Sequence, residues 1–168
     1  MTVSKICVGV DGSRPSIAAL RFALEEAVAR EAVVQVVTAW SSVPPYGGYG
    51  ISISPEKREQ HIRESNWLQS AAIEQAAQGL DTVPEIERTV VHSGRPTPWE
   101  ALVELAASCG LLVVGTEHKG IFKRLVAGST SDYCIRHSPV PVAVVPYADP
   151  ALAEWVDATP ADVEVALR

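Results

Sequence analysis

Cysteine is scarce in this 168-residue chain, with only Cys7, Cys109 and Cys134. The number is odd and no CxxC pair occurs, which excludes a disulfide framework and a zinc knuckle. Cys134 and His137 are close enough to share a helical face, but no further ligands lie nearby in sequence, so no metal site is expected. Long apolar runs are also missing. The longest mostly apolar stretch, Leu105 to Gly115, is too short to cross a bilayer. The run Ile6 to Val10 is ended by Asp11, too early for a signal peptide. Basic charge is in deficit, with 14 Lys and Arg against 20 Asp and Glu and a net charge of −6, which argues against nucleic acid and anionic membranes as partners. Gly and Pro follow no fixed period, which excludes collagen. The expectation is a cytoplasmic protein with no nucleic-acid or membrane partner.

What is present is an apolar fraction of 47%, enough for one real core and too much for a disordered chain. The charge is uneven. From Ala151 to Arg168, Glu154, Asp157, Asp162 and Glu164 face Arg168 alone, which marks residues 149–168 as an acidic extension to a domain of residues 1–148. From Gly115 to His137 the balance reverses, because Lys119, Lys123, Arg124 and Arg136 outnumber Glu117 and Asp132. A small anion could bind there.

Short apolar runs rich in β-branched residues alternate with helical patterns. Strands are expected at Lys5 to Val10, Val33 to Trp40, Ile86 to Val91, Leu111 to Val114 and Val140 to Val145, the last interrupted by Pro141. The first helix is capped by Ser13, with Ile17, Leu20, Leu24 and Val28 as its apolar face. The second runs from Glu56 to Gln78 with a weaker face of Ile62, Leu68, Ala72 and Ala76. Thr97-Pro98-Trp99-Glu100 opens a third helix with Trp99, Leu102, Val103 and Ala106 on one face, and Gly128-Ser129 opens a fourth that runs to about His137. Ser41 to Pro55, with Pro44-Pro45 and Gly47-Gly48, is expected to be a mobile surface loop.

The fold class that follows is α/β: one doubly wound, Rossmann-like, five-stranded parallel sheet with helices on both faces. Ligands of such sheets bind beyond the carboxyl ends of the strands, at the switch point. If the first and fourth strands are neighbours, Asp11 and Gly115 face one crevice.

The feature with most chemistry is Gly115-Thr116-Glu117-His118-Lys119-Gly120, followed by Gly128-Ser129-Thr130. Glycines allow close backbone approach, a helix start offers free N–H groups and a positive dipole end, and Lys119 adds charge. Together these suit a phosphate. A purely structural role, in which the glycines turn the chain and Ser129 caps a helix, is the competing reading. Asp11 likewise could serve only its own turn.

Val8-Gly9-Val10-Asp11-Gly12-Ser13, Val113-Val114-Gly115, Gly128-Ser129 and Ser138-Pro139-Val140-Pro141-Val142 together resemble the universal stress protein family over about Ser4 to Pro146. Its ATP-binding branch carries a glycine, two residues, a glycine, nine residues, then glycine with Ser or Thr. Gly115, Gly128 and Ser129 fit that spacing, but His118 stands where the second glycine belongs. The resemblance implies an adenine-nucleotide-binding regulatory protein of the stress response, with ATP or another adenine nucleotide as ligand, with or without Mg2+. Val10 and Asp11 would line the adenine and ribose pocket, Ala39 would contact adenine, Val114 and Gly115 would flank the nucleotide, and Gly128, Ser129 and Thr130 would hold ribose and phosphates. His118 and Lys119 would lie beside the phosphates. The resemblance also implies a homodimer through Val140 to Val145 and a regulatory partner that the sequence does not name. The alternative is a dimeric scaffold of the same fold with a blocked pocket.

Other uses of the sheet fail on their residues. A receiver domain needs an Asp after the third strand and a Lys after the fifth, where Val91-His92-Ser93-Gly94 and Val145-Pro146-Tyr147 stand. A flavin site needs a phosphate loop where Asp11-Gly12-Ser13-Arg14-Pro15-Ser16 holds one glycine. No GxSxG elbow exists, and His61, His92 and His137 have ordinary structural places, so no catalytic residue is expected. The resemblance allows slow ATP turnover or self-phosphorylation on Ser129 or Thr130 as side reactions.

Overall fold

The computed structural model describes residues 4–41, 53–93, 98–117 and 130–147. Five strands alternate with four helices in the order β1 (Lys5–Gly9), α1 (Arg14–Arg30), β2 (Val33–Ser41), α2 (Pro55–Ala77), β3 (Ile86–Ser93), α3 (Pro98–Ala106), β4 (Leu111–Glu117), α4 (Thr130–His137) and β5 (Val142–Tyr147). All pairings are parallel and the sheet order is β3-β2-β1-β4-β5. The expected architecture is present. The chain winds outward from β1 to β3, then crosses back to β4 on the other side of β1. Right-handed crossovers in two opposite directions put the helices on opposite faces of the sheet. The switch point lies between β1 and β4.

Strand periodicity sorts the core into two layers. Ile6, Val8, Val34, Val36 and Val113 point to one face and pack with Ala19, Leu20, Ala23, Leu24 and Ala27 of α1 and Ala72 and Ala76 of α2. Cys7, Val37, Leu112 and Val114 point to the other and pack with Leu102 and Ala106 of α3 and Cys134 of α4. Apolar residues at consecutive positions of β1, β2 and β4 are therefore what a sheet covered on both faces requires.

Some helix faces differ from expectation. Val28 is 40% exposed, and the buried stripe of α1 is instead Ala19, Ala23 and Ala27 beside Leu20 and Leu24. Small side chains bring this helix close to the sheet. In α2, Ile62 is 39% exposed while Gln69 is fully buried. Gln69 Nε2 donates to the Thr89 carbonyl at 2.9 Å, and its Oε1 accepts from Arg88 Nε at 3.2 Å, so a polar residue fixes α2 against β2 and β3. Pro141 precedes β5 and does not interrupt it, whereas Pro146 lies within β5, an edge strand among the described residues, where a missing N–H is tolerated. The expected boundary at residue 148, the acidic extension and most of the Ser41 to Pro55 loop lie outside the described residues. No helix among the described residues is long and apolar enough to cross a membrane.

Candidate functional site

The carboxyl end of β1 leads straight into a tight polar turn. Val10 N–H donates to the Val37 carbonyl at 2.8 Å, and Thr38 Oγ1 donates to the Val10 carbonyl at 2.8 Å, which fixes the exit of the strand. Asp11 Oδ1 then accepts from Ser13 N–H at 2.9 Å and from Ser13 Oγ at 2.6 Å. Between them Gly12 takes φ +81°, a left-handed conformation that favours glycine. Ser13 caps α1 by accepting from Ser16 N–H at 3.4 Å, and Ser16 Oγ accepts from Asp11 N–H at 3.3 Å while donating to the Ser13 carbonyl at 2.9 Å. Burial acts to raise the Asp11 pKa, but the Ser13 hydroxyl and N–H, with Ser16, act more strongly and hold it below the ordinary 3.8. Asp11 is thus an ionised acceptor at neutral pH. The structural role considered for it in the sequence is real.

Across the switch point, β4 places Val114 and Gly115 beside the first turn of α1. A Cβ on Gly115 would lie 2.1 Å from the Pro15 carbonyl oxygen, so only glycine allows the approach. The start of α3 supplies Pro98, Trp99 and Leu102. Trp99 packs toward Tyr133 of α4, ring centres 6.2 Å apart, and Tyr133 packs on His137 at 4.2 Å.

These parts enclose a cleft of about 150 Å³ lined by Val10, Val37, Ala39, Trp99, Leu102 and Val114 on apolar surfaces, and by Asp11, Ser13, Ser16 and Thr130 as polar groups. Six residues nominated from the sequence meet there: Val10, Asp11, Ala39, Val114, Gly115 and Thr130. The other four, His118, Lys119, Gly128 and Ser129, lie outside the described residues. Sequence reasoning missed Ser13 and Ser16 as lining groups and read Trp99 only as part of a helix face. The available signal was position, because the first turn of a helix that follows a parallel strand opens at the carboxyl edge of the sheet.

The universal stress protein family model matches residues 2–146. The chain belongs to the universal stress protein family. A universal stress protein of Mycobacterium tuberculosis strain H37Rv is 31% identical over 153 residues, covering 84% of this chain and 47% of its own length. The chain spans about half the length of the curated relatives it matches. A crystal structure of a universal stress protein in complex with cAMP is similar at 24% identity and TM-score 0.61, covering 86% of this chain and 98% of that one. The Archaeoglobus fulgidus universal stress protein in complex with dAMP is 24% identical with TM-score 0.57, covering 86% and 99%. At this identity the structural likeness establishes that the fold is shared.

Proposed function

We propose that this universal stress protein binds an adenine nucleotide in the cleft at the switch point and acts as a nucleotide-dependent regulatory protein. The observation that carries the reading is the convergence of Val10, Asp11, Ala39, Val114, Gly115 and Thr130, distant in sequence, on one cleft. Its surfaces match the parts of a nucleoside. The apolar walls from Val37, Ala39, Val114, Leu102 and Trp99 suit a base. Asp11, held ionised, accepts hydrogen bonds from sugar hydroxyls and repels phosphates. On this reading the sugar lies at Asp11 and the phosphate chain toward Thr130 and the start of α4, where a helix dipole favours an anion. The acid of that first turn, Asp132, is paired with Arg136 at 3.1 Å, which reduces its repulsion of a phosphate. The cAMP and dAMP held by two structures of the same fold support the base and sugar assignment. ATP is the nucleotide we favour, because Gly115, Gly128 and Ser129 follow the spacing of a phosphate loop and Lys119 adds charge.

β5 pairs only with β4 among the described residues. An edge of this kind invites pairing with a second copy, and we propose a homodimer across it. No catalytic step is assigned to the cleft: its carboxylate–hydroxyl pair, Asp11 and Ser13, is engaged in the turn that caps α1.

The test is thermal unfolding of nucleotide-stripped protein with Mg-ATP, AMP or cAMP. A ligand at about a hundred times its Kd adds roughly 2.7 kcal/mol, a shift of about 5–10 °C for a domain of this size. A shift with ATP is the expected result. A shift with AMP or cAMP alone retains the base and sugar site and removes the triphosphate assignment. No shift with any of them at millimolar concentration overturns the proposal in favour of a scaffold with a blocked pocket.

A further inference from the structure

One of the apolar walls of the cleft is an aromatic ring. Of the described residues that line it, Trp99 alone is aromatic. Trp99 stands in the first turn of α3, and Leu102 lies three positions on, on the same side of the helix. The two differ in how they are held. Leu102 is 4% exposed and presses on β1, where a Cβ on Gly9 would lie 2.7 Å from Leu102 Cδ2. Leu102 is therefore the floor of the cleft. Trp99, one turn nearer the helix start, is only half-buried, so part of its surface is left open.

The indole is supported from the α4 side. Its ring centre is 6.2 Å from that of Tyr133 with the planes tilted by 47°, a separation at which aromatic pairs attract, and Tyr133 lies 4.2 Å from His137 in turn. Tyr133 is not among the groups lining the cleft, so it backs Trp99 from outside. A ring that is backed by α4 and half-buried beside the cleft offers a fixed π surface to a ligand. Val10 at the exit of β1 and Ala39 near the end of β2 line the same cleft with small aliphatic groups. Walls of these two kinds suit a flat apolar group and give nothing to a tetrahedral phosphate.

We propose that Trp99 stacks on the base of the bound nucleotide and is the residue that makes the cleft prefer purines to pyrimidines, an inference that rests on the nucleotide reading above. Every base has a π-face, so a stacking ring accepts them all, and its preferences follow stacking strength. The two fused rings of a purine overlap an indole over more area than the single ring of a pyrimidine, and each added atom pair contributes dispersion. Leu102, Val10 and Ala39 present aliphatic groups to either kind of base. The indole adds an attraction that grows with ring overlap, and it sits where α3 and α4 meet.

The experiment titrates the whole, nucleotide-stripped protein calorimetrically with AMP and with UMP, which share sugar and phosphate and differ in the base. The wild type should bind AMP more tightly. Trp99→Leu keeps an apolar side chain against Tyr133 and removes the π-face. Its affinity for AMP should fall about five- to hundredfold and its affinity for UMP by less, so the preference narrows. Trp99→Phe keeps a smaller ring and should bind AMP with intermediate affinity. AMP should also quench the tryptophan fluorescence of the wild type, and Trp99→Phe should lose that quench, a readout that needs no disruptive substitution. Equal affinity of the wild type for AMP and UMP would overturn the proposal. So would Trp99→Leu binding AMP as the wild type does or losing both nucleotides in equal proportion, or a quench that persists in Trp99→Phe. These outcomes leave the nucleotide reading standing. Wild-type protein that binds neither nucleotide overturns that reading and this inference with it.

Discussion

The hydrogen at the Gly115 α-carbon occupies the only space left between β4 and the Pro15 carbonyl oxygen, since a Cβ there would come within 2.1 Å of that oxygen and 2.9 Å of Ser16 N. Both obstructing atoms are backbone, so neither can rotate away. Gly115→Ala must push the first turn of α1 off the sheet. Forced overpacking costs about 1–3 kcal/mol, occasionally more. We expect the upper end of that range, a fall of roughly 6–12 °C in Tm. Thermal unfolding measures it, and an unchanged Tm would show that α1 is not seated as described. Because Ser13, Pro15 and Ser16 also line the cleft, nucleotide-induced stabilisation should weaken in the same variant.

That contact also shows what the sequence could and could not reveal. The apolar runs of β1, β2 and β4 identify themselves locally, since burial on both faces makes most of their positions apolar, the buried Gln35 and Thr38 of β2 being exceptions. The switch point follows from strand alternation, and Asp11 and Gly115 are legible because they sit at its two strand ends. The reason Gly115 must be glycine is not legible, because Pro15 lies a hundred positions away in the chain. A pattern of bulky residues misplaces the α1 stripe, since three of its buried positions are alanines and Val28 points outward. Gln69 reads as a surface residue until Thr89 and Arg88 are brought to it by β3. Each of these depends on a partner that only the fold supplies.

Asp11 serves its turn and, on the proposed reading, the ligand. Two substitutions separate these roles. Asp11→Ala removes the acceptor for Ser13 N–H and Oγ and should cost about 1 kcal/mol. Asp11→Asn keeps an acceptor oxygen for the turn and removes the charge, so more of the stability should remain. The folded-state pKa lies below 3.8, so the carboxylate contributes stability that is present above 3.8 and is lost as pH falls through the folded value. Comparing acid unfolding of the wild-type and Asn proteins checks the sign, because only the wild type should show this loss.

Glu31 closes α1 in a left-handed conformation, φ 53° and ψ 43°, with its N–H directed to the Ala27 and Val28 carbonyls. A side chain there costs about 1–2 kcal/mol, which glycine avoids at the expense of greater freedom in the unfolded chain. Glu31→Gly should therefore stabilise the domain by roughly 0.5–1 kcal/mol, or about 1–4 °C. Calorimetry on the two proteins is sufficient, and destabilisation would mean that Glu31 makes a compensating interaction at the end of the helix.

At the carboxyl end of β2, Trp40 is flanked by two histidines, with ring centres 4.2 Å from His92 and 4.5 Å from His61. Burial lowers the His92 pKa from 6.5, and the nearby charges of Arg58 and His61 lower it further, Arg58 Nη2 standing 3.4 Å from His92 Nδ1. The folded protein thus resists the proton that the unfolded chain accepts. Above pH 6.5 His92 is neutral in both states and leaves stability unchanged with pH. Below 6.5 the unfolded chain protonates first, so stability falls as pH drops through the folded value. His92→Phe keeps a ring against Trp40 and removes the titration. Its Tm should fall less than that of the wild type between about pH 7 and pH 5. Equal slopes for the two proteins would assign the acid sensitivity to other groups.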